Sequence, residues 1–471
     1  MAESAEQHPH LPTAAGEVVS DPAGASPRPP RHRFLSVLCA LVVFVLTLFA
    51  GASVLEVDLH ARAVDRERLL ELSVATLNNS LRYTHTTWWQ SEGYSYETTQ
   101  VACSLAFSQP TSQTIEILTP AGGFKGEDAI RTQAMALYAT AIAIHDNMYD
   151  AHAVNVPTSD ARRRAVAWAN GLAASYDRTH WGDGWQSALW VYYLGFGSRQ
   201  LWNDLPAGTQ QLVTQEVAEE ADRLLGIAPR YYEDASDTVL TPGDSKAEED
   251  AWNANLLLFA AREFADEPNA AKWERRGRWY ALAAWATRDE IGSDPRIEGS
   301  NLNDDGTVTN HGKVVNPDYM FSDAEFIAYA ALTAADTHTS LPMETTNNFR
   351  RVWRGLTAAQ FATPTGSTPA STIYLRGENR SVSADIYYPL GADWSWERRA
   401  NAALMDCEAF AEEIDPEAAD WAVAHLTYVL QQQARHDDGR VFSQGESRYP
   451  ADEQFAAVLE AVMAARLATM R

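Results

Sequence analysis

Basic residues are scarce in this chain: 37 Lys and Arg face 63 Asp and Glu, a formal charge of -26 over 471 residues. Nucleic-acid phosphates are bound along a basic stripe, which this composition does not supply, so nucleic acid is excluded as a partner. An anionic glycan is disfavoured only weakly, because the local charge of a cleft can oppose the global sign. Cysteine is scarcer still, with three residues and no CxxC or Cys/His spacing, so no zinc site is expected. Cys39 falls in a long apolar run, which leaves Cys103 and Cys407 open to two readings, a single disulfide in an oxidising compartment or two buried thiols. Alternating polar and apolar residues are rare outside Thr114–Leu118 and Ile373–Arg376. No fixed-period repeat is present, which argues against a solenoid of interchangeable units.

One long apolar run is present. Residues 1–33 are rich in Ala, Pro, Ser, Gly and Glu and bury too little surface to fold, so they are expected to form a disordered cytoplasmic tail. Arg28, Arg31 and Arg33 then precede the uncharged stretch 34–55, long enough for a helix to cross a hydrocarbon core of about 30 Å. A signal anchor with the basic flank inside places the remaining chain outside the cell. A cleaved signal peptide is the alternative, supported by Ala50, Gly51 and Ala52 but opposed by the length of the stretch before the apolar run. Residues 56–84 read as a helical linker and 85–471 as the main domain.

From Glu56 onward apolar residues recur at three and four, as in Leu212, Val213, Val217, Ala221, Leu224 and Leu225. The spacing predicts helices near 56–83, 127–150, 159–178, 184–203, 206–226, 245–265, 268–290, 320–336, 343–361, 397–414, 416–434 and 451–470. Long loops follow the helices ending near 226, 290, 361 and 434, and loops of that length carry function or disorder. Consecutive helical pairs of this number suggest an all-α fold of hairpins closed into an (α/α)6-like toroid.

Chemistry-bearing residues concentrate between Asp244 and Tyr319. The segment His180–Trp190, the helix carrying Asn253, and the run Asp305-Gly306-Thr307 with Asn310-His311-Gly312 and Tyr319 resemble the toroid of polysaccharide lyases of the hyaluronate, chondroitin AC and xanthan lyase type. In that family an Asn, a His, a Tyr and an Arg line the cleft in this chain order. The resemblance implies that Asn253 or Asn255 holds the uronate carboxylate, that His311 and Tyr319 move protons, and that Arg376 or Arg380 is the later arginine. It departs from the family in one respect, since the chain ends in helices at Arg471 where those lyases continue into β-sandwich domains.

The residues also support two readings without the family. Eliminating a glycosidic bond beside a uronate needs the carboxylate neutralised, by Asn253, Asn310 or Arg376, and a base such as His311 or Tyr319 within hydrogen-bond reach. Hydrolysis instead needs two carboxyl groups about 5–9.5 Å apart, with Glu248 and Asp393 as the favoured catalytic candidates. Around either centre, Asp183, Trp185, Gln186, Asp244, Trp252, Asn310, Asp318, Arg376, Trp394, Trp396 and Glu397 are candidate substrate-binding residues. Asp244 is equally a candidate N-cap, and Asp393 with Ser395 could cap the next helix while Arg398 and Arg399 meet acids on the surface. Asn301–Gly306 begins like a calcium loop, but position twelve is Gly312 rather than Glu, so a turn is expected there, with no metal and no cofactor. The pairs Asp304-Asp305 and Asp437-Asp438 resemble the adjacent aspartates of some toroidal mannan hydrolases. Expected function is therefore a membrane-tethered extracellular enzyme cleaving a polysaccharide, by elimination or by hydrolysis, with a non-catalytic glycan- or wall-binding toroid as the alternative.

Overall fold

The structure is a computed structural model that describes residues 61–89, 126–176, 186–310, 315–361, 371–389, 398–443, 445–446 and 451–470. The expected tail 1–33, the apolar run 34–55 and the strand candidate at 114–118 lie outside these residues. Among the described residues no helix is long and apolar enough to cross a membrane. The chain divides into two units, Met1–Arg62 and Ala63–Arg471.

The second unit is almost wholly helical. Helix α1 covers residues 61–83 and continues through a π-helical turn, Thr84–Trp88. It is followed by α2 (Gly126–His145), the single turn α3 (Ala151–Val154), α4 (Thr158–Ser175), α5 (Ser187–Gln200) and α6 (Ala207–Leu225). Then come α7 (Ala247–Glu263), α8 (Ala270–Ala284), α9 (Pro317–Asp336), α10 (Phe349–Thr357), α11 (Arg399–Ala411), α12 (Ala418–Gln433) and α13 (Asp452–Thr469). Two small antiparallel ladders lie between helices: β1 (Glu233–Asp234) with β2 (Gly299–Ser300), and β3 (Tyr374–Arg376) with β4 (Val382–Ile386). The strand expected at Ile373–Arg376 is β3.

Twelve expected helices are found, with local adjustments that have physical causes. Helix α9 starts three residues early because Pro317, with no N–H to lose, occupies the first turn. The stretch expected as one helix over 343–361 divides into a 3-10 turn, Met343–Thr346, and α10, because Asn348 takes φ +60° in the left-handed region. The end of the helix expected at 268–290 is a separate turn, Arg288–Glu290, started by a capping box at Thr287.

Two kinds of helix alternate along the chain. Helices α5, α9, α11 and α13 are buried on every side over most of their length, as are α2 and α7 apart from a few positions, and a helix apolar all round must sit inside. Helix α6 buries one stripe, Thr209, Val213, Glu216, Val217, Glu220, Ala221 and Leu224, and leaves the opposite face to water. The buried helices touch in succession: α2 packs on α5, α5 on α7, α7 on α9, α9 on α11, α11 on α13, and α13 on α2. Helices α4, α6, α8, α10 and α12 pack against their outer sides, and α1 is joined to α12 and α13 through Gln433, whose Nε2 donates to Thr76 O and to Glu460 Oε1. Gly195 lets α5 approach α7, since a Cβ there would stand 2.6 Å from the Phe259 ring.

Chain direction separates the connections. Each one leading from an outer to a buried helix is long, whereas α5 to α6, α7 to α8 and α11 to α12 take about half a dozen residues each. The connections of more than about a dozen residues therefore all meet the N-terminal ends of the buried helices, while α2 to α4 and α9 to α10 take about a dozen residues each at the other end.

Candidate active site

Titratable side chains gather towards that N-terminal end, with Tyr193 and Tyr329 reaching it from the middle level of the buried helices. Arg131 comes from α2, Tyr193 from α5, Glu248 from α7, Asp318, Glu325 and Tyr329 from α9, and Asp452 from α13, while Arg398 immediately precedes α11. Tyr329 Oη donates to Glu325 Oε1 at 2.8 Å and shares a 3.0 Å hydrogen bond with Tyr193 Oη. The buried Arg398 donates to Asp452 Oδ1 at 2.6 Å. Asp318 and Tyr319 lie close enough to stabilise its charge further. Asp318 Oδ1 accepts from Tyr388 Oη at 2.8 Å, so the segment after β4 closes over the first turn of α9.

The two glutamates are electrostatically linked. Loss of hydration is the main influence on both. It lifts the half-buried Glu248 to a pKa of about 8, with the Glu325 charge adding to the rise and Arg131 and Arg398 opposing it. Glu325 is lifted to about 7, held lower by the Tyr329 hydrogen bond and by the same two arginines. Between about pH 7 and 8 Glu248 therefore tends to keep its proton while Glu325 tends to be ionised, the division of roles that acid–base chemistry on one substrate requires.

Local structure fixes the start of α7, and with it Glu248. Asn301, buried between two loops, accepts from Tyr232 N and Lys246 N at 3.0 Å each and donates to Arg230 O and Ala283 O. Ser245 Oγ donates to Asn301 O and accepts from Ala247 N, while β1 and β2 pair the loop before α7 with the loop before α9. Three acids in the first turn of α7, Glu248, Glu249 and Asp250, suit the positive end of the helix dipole.

Of the other residues expected to line the site, Tyr319 and Asp318 join the cluster beside Arg398. Asn253 does not face Glu248: at about 100° per residue it sits some 140° round the helix, whereas Asn255 returns to the Glu248 side, buried and with no partner for Oδ1. Trp252 is 1 % exposed and belongs to the core, not to a sugar platform. Gln186 is buried beneath α5, its Oε1 accepting from Trp190 Nε1 at 3.3 Å. Asp244 does not cap α7; it accepts from Lys246 Nζ at 2.6 Å. Asn310 is buried with no partner for Oδ1. Arg376 is absent from the cluster, pairing with Glu417 Oε2 at 2.6 Å and lying over Trp421 of the outer helix α12; Arg380 is exposed on the adjacent turn. His311, Asp393, Trp394, Trp396, Glu397, Asp183 and Trp185 lie outside the described residues.

Neither aspartate pair joins the glutamates. Asp305 Oδ1 accepts from Thr307 N and Thr307 Oγ1, closing the Asn/Asp/Gly turn, and Asp438 bonds Thr87 of α1 and Arg440. Among the described residues no three His, Cys, Asp or Glu are placed to share a metal ion. Cys407 is a buried free thiol in α11, and Cys103 lies outside the described residues. Sequence reasoning missed Arg131, Tyr193, Glu325, Tyr329 and Asp452, and one of its two readings of the run 393–399 set Arg398 and Arg399 on the surface, whereas both are buried. The available signal was a charged residue inside an otherwise apolar stretch, Glu325 at the start of 324–335.

The chain was compared with protein-family models, with curated proteins and with solved structures, and it matches none of them.

Proposed function

We propose that Ala63–Arg471 is an (α/α)6-like toroid and that the N-terminal end of its buried helices is the catalytic centre of a glycoside hydrolase acting on a neutral polysaccharide. The observation that carries this reading is the Glu248–Glu325 pair, two carboxyls with linked ionisation towards the N-terminal ends of the buried helices. Glu248, which holds its proton longer, acts as the general acid that protonates the glycosidic oxygen. Glu325 acts as the ionised partner, either activating water or attacking the anomeric carbon, and the anomeric configuration of the product distinguishes the two. Among the described residues of the cluster the carboxyls of Glu248, Glu325, Asp318 and Asp452 face the guanidiniums of Arg131 and Arg398, so there is no cationic surplus to hold a uronate. A neutral glycan fits such a site better than an acidic one. Residues 34–55 tether the enzyme to the membrane, with the toroid on the outer side.

A polysaccharide lyase is the second reading, favoured by Tyr319 standing beside Arg398, a phenol and a guanidinium together in the cluster. The test is incubation of the full chain in detergent with neutral and uronic-acid polysaccharides. New reducing ends without ultraviolet absorbance from an unsaturated product are expected. Unsaturated product overturns hydrolysis in favour of elimination, and retained affinity without any product leaves a glycan-binding toroid.

A further inference from the structure

The far end of the same helices carries a cavity that the proposed catalysis does not use. Along α2, Arg131, Tyr138 and His145 are seven residues apart, about 10 Å per step, so the axis has three levels. The middle level is an aromatic plug. Tyr138, Tyr192, Tyr193 and Tyr329 are fully buried with ring centroids 5.1–6.1 Å apart, and Phe196 and Phe259 extend the plug. Beyond it the C-terminal ends of α2, α5, α9 and α13 surround a cavity of about 200 Å³. At about 30 Å³ per water molecule this is room for a ligand of roughly five to ten non-hydrogen atoms.

The lining has two characters. Ile142, Phe196 and Leu332 supply apolar walls, while Asp146, Asp336 and Gln200 stand at the rim. Among the described residues no Lys or Arg lines the cavity. His145 Nδ1 lies 2.7 Å from Asp146 Oδ1, and Gln200 Nε2 donates to Asp336 Oδ2 at 3.2 Å. The final carbonyls of four helices point towards this end, each helix adding a partial negative charge. Behind Asp336, Glu263 is ion-paired with Arg199 at 2.7 Å and adds no net charge. The field therefore favours a cation. The apolar walls, and the lack of three metal-ligating groups among the described residues, disfavour a bare metal ion.

We propose that this cavity binds a small organic cation, a primary alkylammonium of a few carbons, with its head at Asp336 and Asp146 and its chain across Phe196. An ammonium near an aromatic face gains further from the ring quadrupole. The aromatic plug, whose Tyr329 also donates to Glu325, lies between this site and the catalytic cluster, and no residue lining the cavity belongs to that cluster, so the site stands or falls independently of the hydrolase reading.

The experiment is thermal unfolding of the full chain in detergent, at one pH and ionic strength, with n-butylammonium chloride, n-butanol, sodium butyrate or sodium chloride. A saturable rise in Tm of about 2 °C with butylammonium alone is expected. Asp336→Asn should abolish that rise, and Asp146→Asn, a second variant should the first fail to fold, should reduce it. The proposal is overturned by the absence of a rise, by an equal rise with butanol or sodium chloride, or by a rise that survives in the folded variants.

Discussion

The two ends of the buried helices are made by the same six elements yet differ in almost every physical respect. At the N-terminal end long connections enter and ionisable groups are buried together, which costs free energy that burial of apolar residues would not. At the C-terminal end three of the links between consecutive helices are short, the walls are apolar and the carboxylates stay at the rim. Helix packing alone would be served as well by Leu at 248 and 325. The contrast teaches that one end is shaped by stability and the other carries groups that stability does not explain, which is where chemistry is to be sought.

The largest expected effect separates the ends outright. Glu248→Gln and Glu325→Gln should each lower the hydrolysis rate about 10²–10⁴-fold, the usual scale of a lost acid or base, with the helical circular-dichroism spectrum unchanged. If either variant keeps full activity, the N-terminal end loses its distinction. In the unaltered protein the rate should peak between pH 7 and 8, because Glu325 must be ionised, above about 7, and Glu248 protonated, below about 8. These limits belong to the pair jointly.

Arg398→Met sharpens the comparison next. It strands Asp452 and Asp318 without their buried counter-charge, and breaking such a pair costs about 3–5 kcal/mol. Denaturant unfolding should show a loss of that size, and a loss no larger than that of a surface Arg substitution would mean the cluster is solvated.

Away from the cluster, pH acts on the layer between α12 and α13. Burial is the main cause holding Glu460 at a pKa of about 8, above its ordinary value of 4.5. A carboxyl whose folded pKa is raised favours the fold when protonated. Its contribution is fully present below about pH 4.5 and is lost as pH rises through about 8. Glu460→Gln should therefore raise Tm near pH 8 and change it little near pH 4, as differential scanning calorimetry would show. The smallest effect is expected at the far end, where Asp336→Asn should leave hydrolysis unchanged within error; a large loss would join the two ends that the aromatic plug separates.

Much of the fold was legible because three-and-four spacing survives even where every side of a helix is buried, as in α9 and α13. The ladder of β1 with β2 was not legible, since two-residue strands leave no alternation to read. Within the site, Glu248, Asp318 and Tyr319 stood out because they sit at helix starts among other polar residues. Glu325 did not, since it lies between Ala324 and Phe326 in an apolar run, and only the fold brings it beside Glu248. Arg398 was read as a surface residue because the acids that bury it, Asp318 and Asp452, are far away in sequence. Arg376 drew attention through its place in chain order, which carries no information about which layer a ladder packs against.

The most direct test of the catalytic reading is the hydrolysis of neutral polysaccharides by the full chain and its Glu325→Gln variant, followed by the release of reducing ends. The expected result is release by the unaltered protein, near-complete loss in the variant, and no unsaturated product in either. Equal release from both proteins, or release only from uronic-acid polysaccharides with an unsaturated end, would contradict it.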